Sequence, residues 1–349
     1  MLERLHREGR EPGGAVCVIR DDVAEETMVG DRGDGTPWTS DTLVMTYSCG
    51  KPMAALAVLS AVAEGALGLD QPVAEAWPAY AANGKGATTV RHLLSHQAGL
   101  PLYPEAAAAL EYDDREALVE LLAGAAPVHE PGTRVAEHAL TYGHLCDELL
   151  RRTAGEPVDE RFARIAAANG WDLHLSVPAD QLHRVADVVP VDPTWPQHYL
   201  QDPRWGPALG RPPGLLDPVV LNSERWRRTS FAAISLHASA RGLARLYADL
   251  VPADGPVAEL LGPDLHAELL RPQRTGVDGV IGREVTWTLA FQRDDLPGGR
   301  SEIGMGGAGG CSGWVSVGSD GTPGYAAAYV TRGLGDHDRG DQVWRALEP

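Results

Sequence analysis

The strand-like segments of this 349-residue chain lie at its two ends, and the helix-like segments lie between them. That order constrains the fold more than any single motif. A sheet must then be assembled from distant parts of the chain, with a helical lobe inserted between them. Near the start, Ala15 to Arg20 is rich in valine and isoleucine, and Glu25 to Val29 can pair with it across Asp21-Asp22 as a β-hairpin. Near the end, Glu284 to Gln292, Gly313 to Val317 and Tyr325 to Thr331 read as strands, and Asp341 to Leu347 reads as a helix.

Asp41-Thr42-Leu43-Val44-Met45 leads into Ser48, and from Lys51 the pattern turns helical. Met53, Leu56, Leu59, Val62 and Ala63 recur three or four apart, so this apolar helix should be buried with Ser48 at its N-terminal end. Pro52 fits there because the first helical turn needs no amide donor. Further helical patterns run over 90–96, 114–123, 143–153, 158–168, 238–250 and 263–270. Residues 172–226 differ: prolines are frequent and Trp195, Trp205 and Trp226 stand among polar turns. Such a stretch is either a lid or binding wall, or a surface excursion packed on its own tryptophans. The predicted fold class is α+β, an α/β sandwich with an antiparallel sheet flanked by helices. Residues 1–80 and 265–349 would form the α/β domain, and 81–264 the mostly helical lobe.

Only two lysines occur, Lys51 and Lys85, among 30 lysines and arginines in all. Arginine cannot give up its proton at ordinary pH, whereas a desolvated lysine can. Lys51 follows Ser48 by three residues, which places both on one face of a helix start, with the serine at the positive end of the helix dipole. Lys51 is thus a candidate base and Ser48 the nucleophile it would activate. The spacing alone is a weak motif. Lys85, in the turn Asn83-Gly84-Lys85-Gly86, reads as solvated.

The net charge of -18 argues against nucleic acid and anionic membrane surfaces as partners. The four cysteines, Cys17, Cys49, Cys146 and Cys311, are scattered and form no C-x-x-C pair, which fits a reducing compartment. The N-terminus is charged and lacks the apolar run of a secretory signal, so a cytoplasmic, soluble protein is expected. No cofactor and no metal site is expected. His92 and His96 are four apart without the glutamate of a zinc-protease motif, and read as a helix-packing pair. Gly304-Met305-Gly306-Gly307-Ala308-Gly309 matches G-x-G-x-x-G, but a strand pattern follows it and the chain is nearly over, so nucleotide binding is not expected. No G-x-S-x-G occurs. Tyr47 reads as packing, and Cys49 and Cys311 have no obvious partner that would make either a nucleophile.

Several longer segments resemble one family in the right order. Ser48-Cys49-Gly50-Lys51-Pro52-Met53 with Glu64-Gly65-Ala66-Leu67-Gly68-Leu69-Asp70 resembles the serine β-lactamase and penicillin-binding-protein superfamily, in the branch of class C β-lactamases and family VIII carboxylesterases. Thr88-Thr89-Val90-Arg91-His92-Leu93-Leu94-Ser95-His96 looks like that branch's next segment. Glu130-Pro131-Gly132 followed by Thr141-Tyr142-Gly143-His144 resembles the segment carrying its catalytic tyrosine. Ser239-Ala240-Arg241-Gly242-Leu243 resembles a later helix, and Gly304 to Gly310 sits where the third motif falls.

The resemblance implies an acyl-enzyme on Ser48, with Lys51 and Tyr142 moving protons. It implies an oxyanion held by the backbone N–H of Ser48 and of Ala308 on a facing edge strand. Met305, Gly306, Gly307 and His144 would border the substrate, and the glycines would let it approach the backbone. Two positions depart from the pattern. Met305 stands where relatives carry a cation, and His144 stands where they carry asparagine. Both departures point away from β-lactams and toward a small neutral ester or amide. Ester hydrolysis is the first expectation. A transacylase that passes the acyl group to an amine or alcohol is the alternative. A β-lactamase, a DD-peptidase and a non-catalytic binding protein follow.

Overall fold

Asp21 and Asp22 carry φ of 47° and 61°, the paired positive values that a two-residue hairpin turn demands. They join β1 (Gly13–Arg20) to β2 (Val23–Gly30), with Arg20 opposite Val23. The structure, a computed structural model, describes residues 1 to 348. Six strands from the C-terminal part complete the main sheet: β3 (Arg274–Val277), β4 (Glu284–Trp287), β5 (Gln292–Asp295), β6 (Ser301–Gly306), β7 (Ser312–Val317) and β8 (Pro323–Thr331). Their order is β2-β1-β8-β7-β6-β5-β4-β3. Every neighbouring pair is antiparallel, and β1 pairs with β8 so that Gly14 faces Thr331. The two chain ends therefore build one sheet, as the order of segments predicts.

Glu284 to Gln292 is not one strand. The chain turns between β4 and β5, where Ala290 takes φ 82° and the Thr288 N–H donates to Phe291 O at 2.9 Å. The continuous β-type composition hid this reversal, because no glycine or proline marks it.

Helices cover both faces of the sheet. The helices used below are α1 (Leu2–Arg7), α2 (Lys51–Ala63), α3 (Val90–Leu94), α4 (Arg115–Gly124), α5 (Thr141–Thr153), α6 (Val158–Asn169), α7 (Ala240–Ala248) and α8 (Asp338–Leu347). Ala15, Cys17 and Ile19 of β1 point into the main core with Val330, Leu243 of α7 and the helices beyond. Val16 and Val18 point the other way, beneath Leu2 of α1 and Val343 of α8. Cover on both sides explains why β1 is buried from Gly13 to Ile19 and why its sequence alternates only weakly.

α2 runs through the main core against α5 and α6, and every residue from Lys51 to Ala61 is buried. A helix apolar all round needs such a position. Local signals set its neighbours. Asp114 accepts from the Ala117 N–H at the start of α4, Ser239 accepts from Gly242 at the start of α7, and Gly170 ends α6 at φ 66°.

Two expectations change. Lys85 is not solvated: it is fully buried, and its ammonium donates to the carbonyls of Ala82 at 2.8 Å, Ala123 at 3.0 Å and Ala125. It thus serves the carbonyls at the end of α4, which the helix itself leaves unpaired. His92 and His96 do not pair with each other. His92 closes a capping box with Thr89 at the start of α3, while His96 contacts His138. Residues 172–226 pack onto the body: Trp195, Tyr199, Leu209 and Trp226 all belong to the main core.

Among the described residues, no helix is long and apolar enough to cross a membrane.

Candidate active site

Tyr47 sets the entry to the site. Its φ of 50° is rare for a bulky residue and turns the chain abruptly into the short 3-10 turn Ser48–Gly50, from which α2 begins. Such backbone strain persists only where the surroundings hold it, and here Tyr47 is fully packed, with Trp195 edge-on at 6.1 Å. Ser48 emerges at the floor of a cavity of about 610 Å³. Lys51 stands one helical turn on, and its Nζ donates to Ser48 Oγ at 2.6 Å. The spacing of three residues thus puts the two side chains on one face of the helix start.

Lys51 also meets a carboxylate. Glu137 Oε1 lies 3.0 Å from Lys51 Nζ, with the lysine side chain 0% and the glutamate side chain 4% exposed. Glu137 lines the same cavity as Ser48. Burial pulls the Lys51 ammonium below its ordinary value, and the nearby Glu137 charge resists that pull. Burial pushes the Glu137 carboxyl above its ordinary value, Lys51 resists, and the negative Asp278 pushes it further.

The loop that carries Glu137 is tied down on both sides. The Glu137 N–H donates to Asp278 Oδ1 at 3.1 Å. Asp278 is itself buried, accepting also from the Val280 and Ile281 amides and, on Oδ2, from Trp287 Nε1 at 3.1 Å. The next residue, His138, donates its backbone N–H to His96 Nδ1 at 3.1 Å and accepts the Leu100 N–H on its own Nε2 at 3.2 Å. That bond leaves the His138 proton on Nδ1, 3.1 Å from His96 Nδ1. Burial lowers both imidazoles, His138 to about 3, so the pair is neutral.

The fold does not bring every sequence candidate together. Tyr142 sits in α5 with its hydroxyl donating to the Leu94 carbonyl at 3.1 Å. Among the described residues, no hydrogen bond joins it to Ser48 or Lys51. Burial pushes its phenol well above the ordinary value, and no cation pulls it back. His144 does not line the cavity. It is buried, with its Nδ1 2.6 Å from the Tyr103 hydroxyl, its ring against Phe231, and its pKa pushed down to about 4 by burial. Cys49 and Cys311 do not line the cavity either, and burial raises both thiols, that of Cys311 to about 12.

Met305, Gly306, Gly307 and Ala308 do lie on the cavity wall facing Ser48. The strand that delivers them, β6, is interior rather than at the edge of the sheet. Its pairing with β5 ends at Gly304, so the segment beyond projects past its neighbour toward Ser48. Gly307 is required for that approach: a Cβ there would sit 2.0 Å from the Thr46 carbonyl oxygen. The Met305 side chain is buried in an apolar cluster with Val135, Val285 and Trp287. A cation nevertheless lines the cavity, from a different element: Arg283, just before β4, whose guanidinium, among the described residues, bonds only Gln292 Oε1 at 3.3 Å and the Glu284 carbonyl at 3.2 Å. Tyr199, Asp202 and Trp205, from the proline-rich stretch, form the opposite wall.

Glu137, Asp278 and Arg283 are the residues that sequence reasoning missed. Glu137 lies inside the Glu130–His144 segment singled out by resemblance, five residues before the tyrosine chosen there. No spacing ties it to Lys51, so the sequence carries no local mark of the pair. Among the described residues, no three His, Cys, Asp or Glu side chains converge as a metal site would require.

The chain that carries this site has counterparts among known proteins. The family model described as Beta-lactamase matches residues 1–348. The chain is 37% identical over 185 residues to the "Esterase/beta-lactamase LipL" of Mycobacterium tuberculosis (strain ATCC 25618 / H37Rv), a match covering 51% of this chain and 42% of that protein. The chain thus spans less than half the length of that curated relative. Among solved structures, it is similar to a penicillin-binding protein homologue from Caulobacter crescentus, at 29% identity and a TM-score of 0.80, over 96% of this chain and 90% of the other. It is also similar to a family VIII carboxylesterase, at 28% identity and a TM-score of 0.82, over 99% and 94% of the two chains.

Proposed function

This chain belongs to the Beta-lactamase family, matching its model from residue 1 to residue 348, and on that footing we propose that it is a serine hydrolase that cleaves a small ester through an acyl-Ser48 intermediate. The observation that carries this reading is the 2.6 Å hydrogen bond from the buried Lys51 Nζ to Ser48 Oγ at the floor of an open cavity. The names of the similar proteins, an esterase/beta-lactamase and a family VIII carboxylesterase, support the choice of ester chemistry.

In the proposed reaction, Ser48 Oγ bonds to the substrate carbonyl carbon as its proton passes to Lys51. The carbonyl π electrons move to oxygen, which the N–H groups of Ser48 and Ala308 stabilise. Collapse breaks the bond to the leaving alcohol, which takes a proton from Lys51. Water then repeats the sequence at the acyl carbon and releases the acid. The cavity suits a small substrate. The rim is mixed in charge: Asp202, Asp336 and Asp341 stand opposite Arg283, and position 305 offers no cation. That balance supports a neutral ester over a carboxylate-bearing β-lactam or peptide. An amine or alcohol could replace water in the second half, giving the transacylase reading.

The test is intact mass after incubation with a serine-directed phosphonate, alongside hydrolysis of a short-chain p-nitrophenyl ester. The parent should gain one adduct and the Ser48→Ala variant none. Equal labelling of both proteins sinks the reading. Hydrolysis repeated with a panel of amines separates water from an organic acceptor by the amide formed.

A further inference from the structure

We propose that Glu137 is the proton acceptor of this centre, taking a proton from Lys51 Nζ so that the resulting amine can take one from Ser48 Oγ. The assignment rests on the acyl-Ser48 reading above. An ammonium has no lone pair, so a lysine held as an ion pair cannot accept the serine proton until it gives one away. The carboxylate that could receive it is 3.0 Å from Nζ, while Ser48 Oγ is 2.6 Å from the same atom. The three groups form a continuous path from Ser48 Oγ through Lys51 Nζ to Glu137 Oε1. Among the described residues, Glu137 is the one carboxylate paired with Lys51. The phenol of Tyr142, the other candidate, is committed to the Leu94 carbonyl.

The surroundings make this transfer easy. Burial acts on both partners in opposite directions, lowering the lysine and raising the glutamate, which narrows the gap in proton affinity between them. Asp278 faces Glu137 from the loop before β4 and adds to the rise, while Arg283 subtracts from it. Tyr199, His96, His138 and Cys49, the other titratable groups near the pair, are neutral. The charged form, Lys51 ammonium with Glu137 carboxylate, and the neutral form, amine with carboxylic acid, share one proton and the same net charge. Neither form therefore leaves an unbalanced buried charge.

The proton count closes over a cycle. Lys51 passes a proton to Glu137 and accepts one from Ser48 as the Oγ–C bond forms. The leaving alcohol takes that proton from Lys51 when its C–O bond breaks. Lys51, again an amine, takes a proton from the attacking water and returns it to Ser48 Oγ when the acyl C–O bond breaks. Glu137 then gives its stored proton back to Lys51. The Asp278 bond to the Glu137 amide makes Asp278 a positioning residue for this relay.

The experiment is the pH profile of kcat/KM for p-nitrophenyl acetate with the full chain and with Glu137→Gln, Glu137→Asp and Glu137→Ala. In the parent, activity is lost as pH falls when both partners become protonated, so the acid limb reports Glu137. In Glu137→Gln, the limb should move to higher pH, because activity then requires Lys51 to lose its own proton. The expected loss is about a hundredfold or more near pH 6, shrinking as pH rises toward 9. Glu137→Asp should keep the parent's limb at a reduced rate, and formate should raise the rate of Glu137→Ala in the acid range. A Glu137→Gln rate within about threefold of the parent near pH 6 overturns the assignment. So does a loss that neither high pH, aspartate nor formate restores, since that marks a structural role. Phosphonate labelling separates the two levels. If the parent itself is not labelled at Ser48, the acyl-serine reading has failed. If the parent is labelled and Glu137→Gln behaves like it, only the role of Glu137 has.

Discussion

The Tyr142 hydroxyl donates to the Leu94 carbonyl at 3.1 Å, and this bond joins α5 to the last residue of α3. A carbonyl at a helix end has no partner within its own helix, so the phenol does structural work there. Tyr142→Phe should therefore cost about 1–2 kcal/mol of stability, the penalty of one buried acceptor left unpaired. Esterase kcat/KM should stay within about threefold of the parent. Thermal unfolding and ester hydrolysis on the same preparation check both halves, and a hundredfold loss of rate with an unchanged fold would return Tyr142 to the catalytic centre.

Lys85 should matter for stability and not for turnover. Its ammonium is wholly enclosed and serves three carbonyls, two of them at the end of α4. Lys85→Met keeps the aliphatic volume and removes the donors. Denaturant unfolding should show a loss of about 2–4 kcal/mol, since several buried acceptors go unpaired at once. Phosphonate labelling of Ser48 should proceed as in the parent under conditions where the variant is folded. A neutral effect on stability would mean that the carbonyls find other partners.

Arg283 should tune selectivity among esters. It lines the cavity and, among the described residues, forms no ion pair. It is also exposed, so any attraction to a substrate carboxylate is screened. Arg283→Gln should lower kcat/KM for an ester with a terminal carboxylate by about two- to fivefold relative to its neutral analogue. Equal changes for the two esters would remove Arg283 from substrate recognition.

Glu302 gives stability a pH dependence. Burial, with Glu348 and Asp294 nearby, raises its carboxyl from the ordinary 4.5 to about 7, against the pull of the Trp344 indole N–H at 2.7 Å. A carboxyl raised on folding makes the folded state hold a proton that the unfolded state has released. Its contribution is complete below about 4.5 and is lost as pH rises through about 7. Glu302→Gln keeps an acceptor for Trp344 and removes the titration. At about pH 8 the variant should melt about 2–4 °C higher than the parent, and the gap should close as pH falls toward 4.5. A gap that stays constant across that range would show that Glu302 is not the titrating group.

How much of this was legible in the sequence depends on the range of each interaction. The hairpin at Asp21-Asp22, the apolar periodicity of α2 and the Ser48–Lys51 contact all involve residues within a few positions of one another. Periodicity and turn chemistry report such contacts directly. The union of both chain ends in one sheet was also readable, because strands confined to the ends leave few other ways to pair edges. The turn at Ala290 was not, since nothing in its residue types demands a reversal.

The sequence by itself determined the strands at both ends, the buried helix and the serine with a lysine one turn later. Only the tertiary structure decided what that lysine faces. It brought Glu137 to Lys51, left Tyr142 bound to a helix end, set Arg283 on the wall that Met305 leaves without charge, and enclosed Lys85 in carbonyls. The physical reason is that a buried charge is stabilised by whichever partner the packed backbone places within a few ångströms. Chain separation carries no record of that distance.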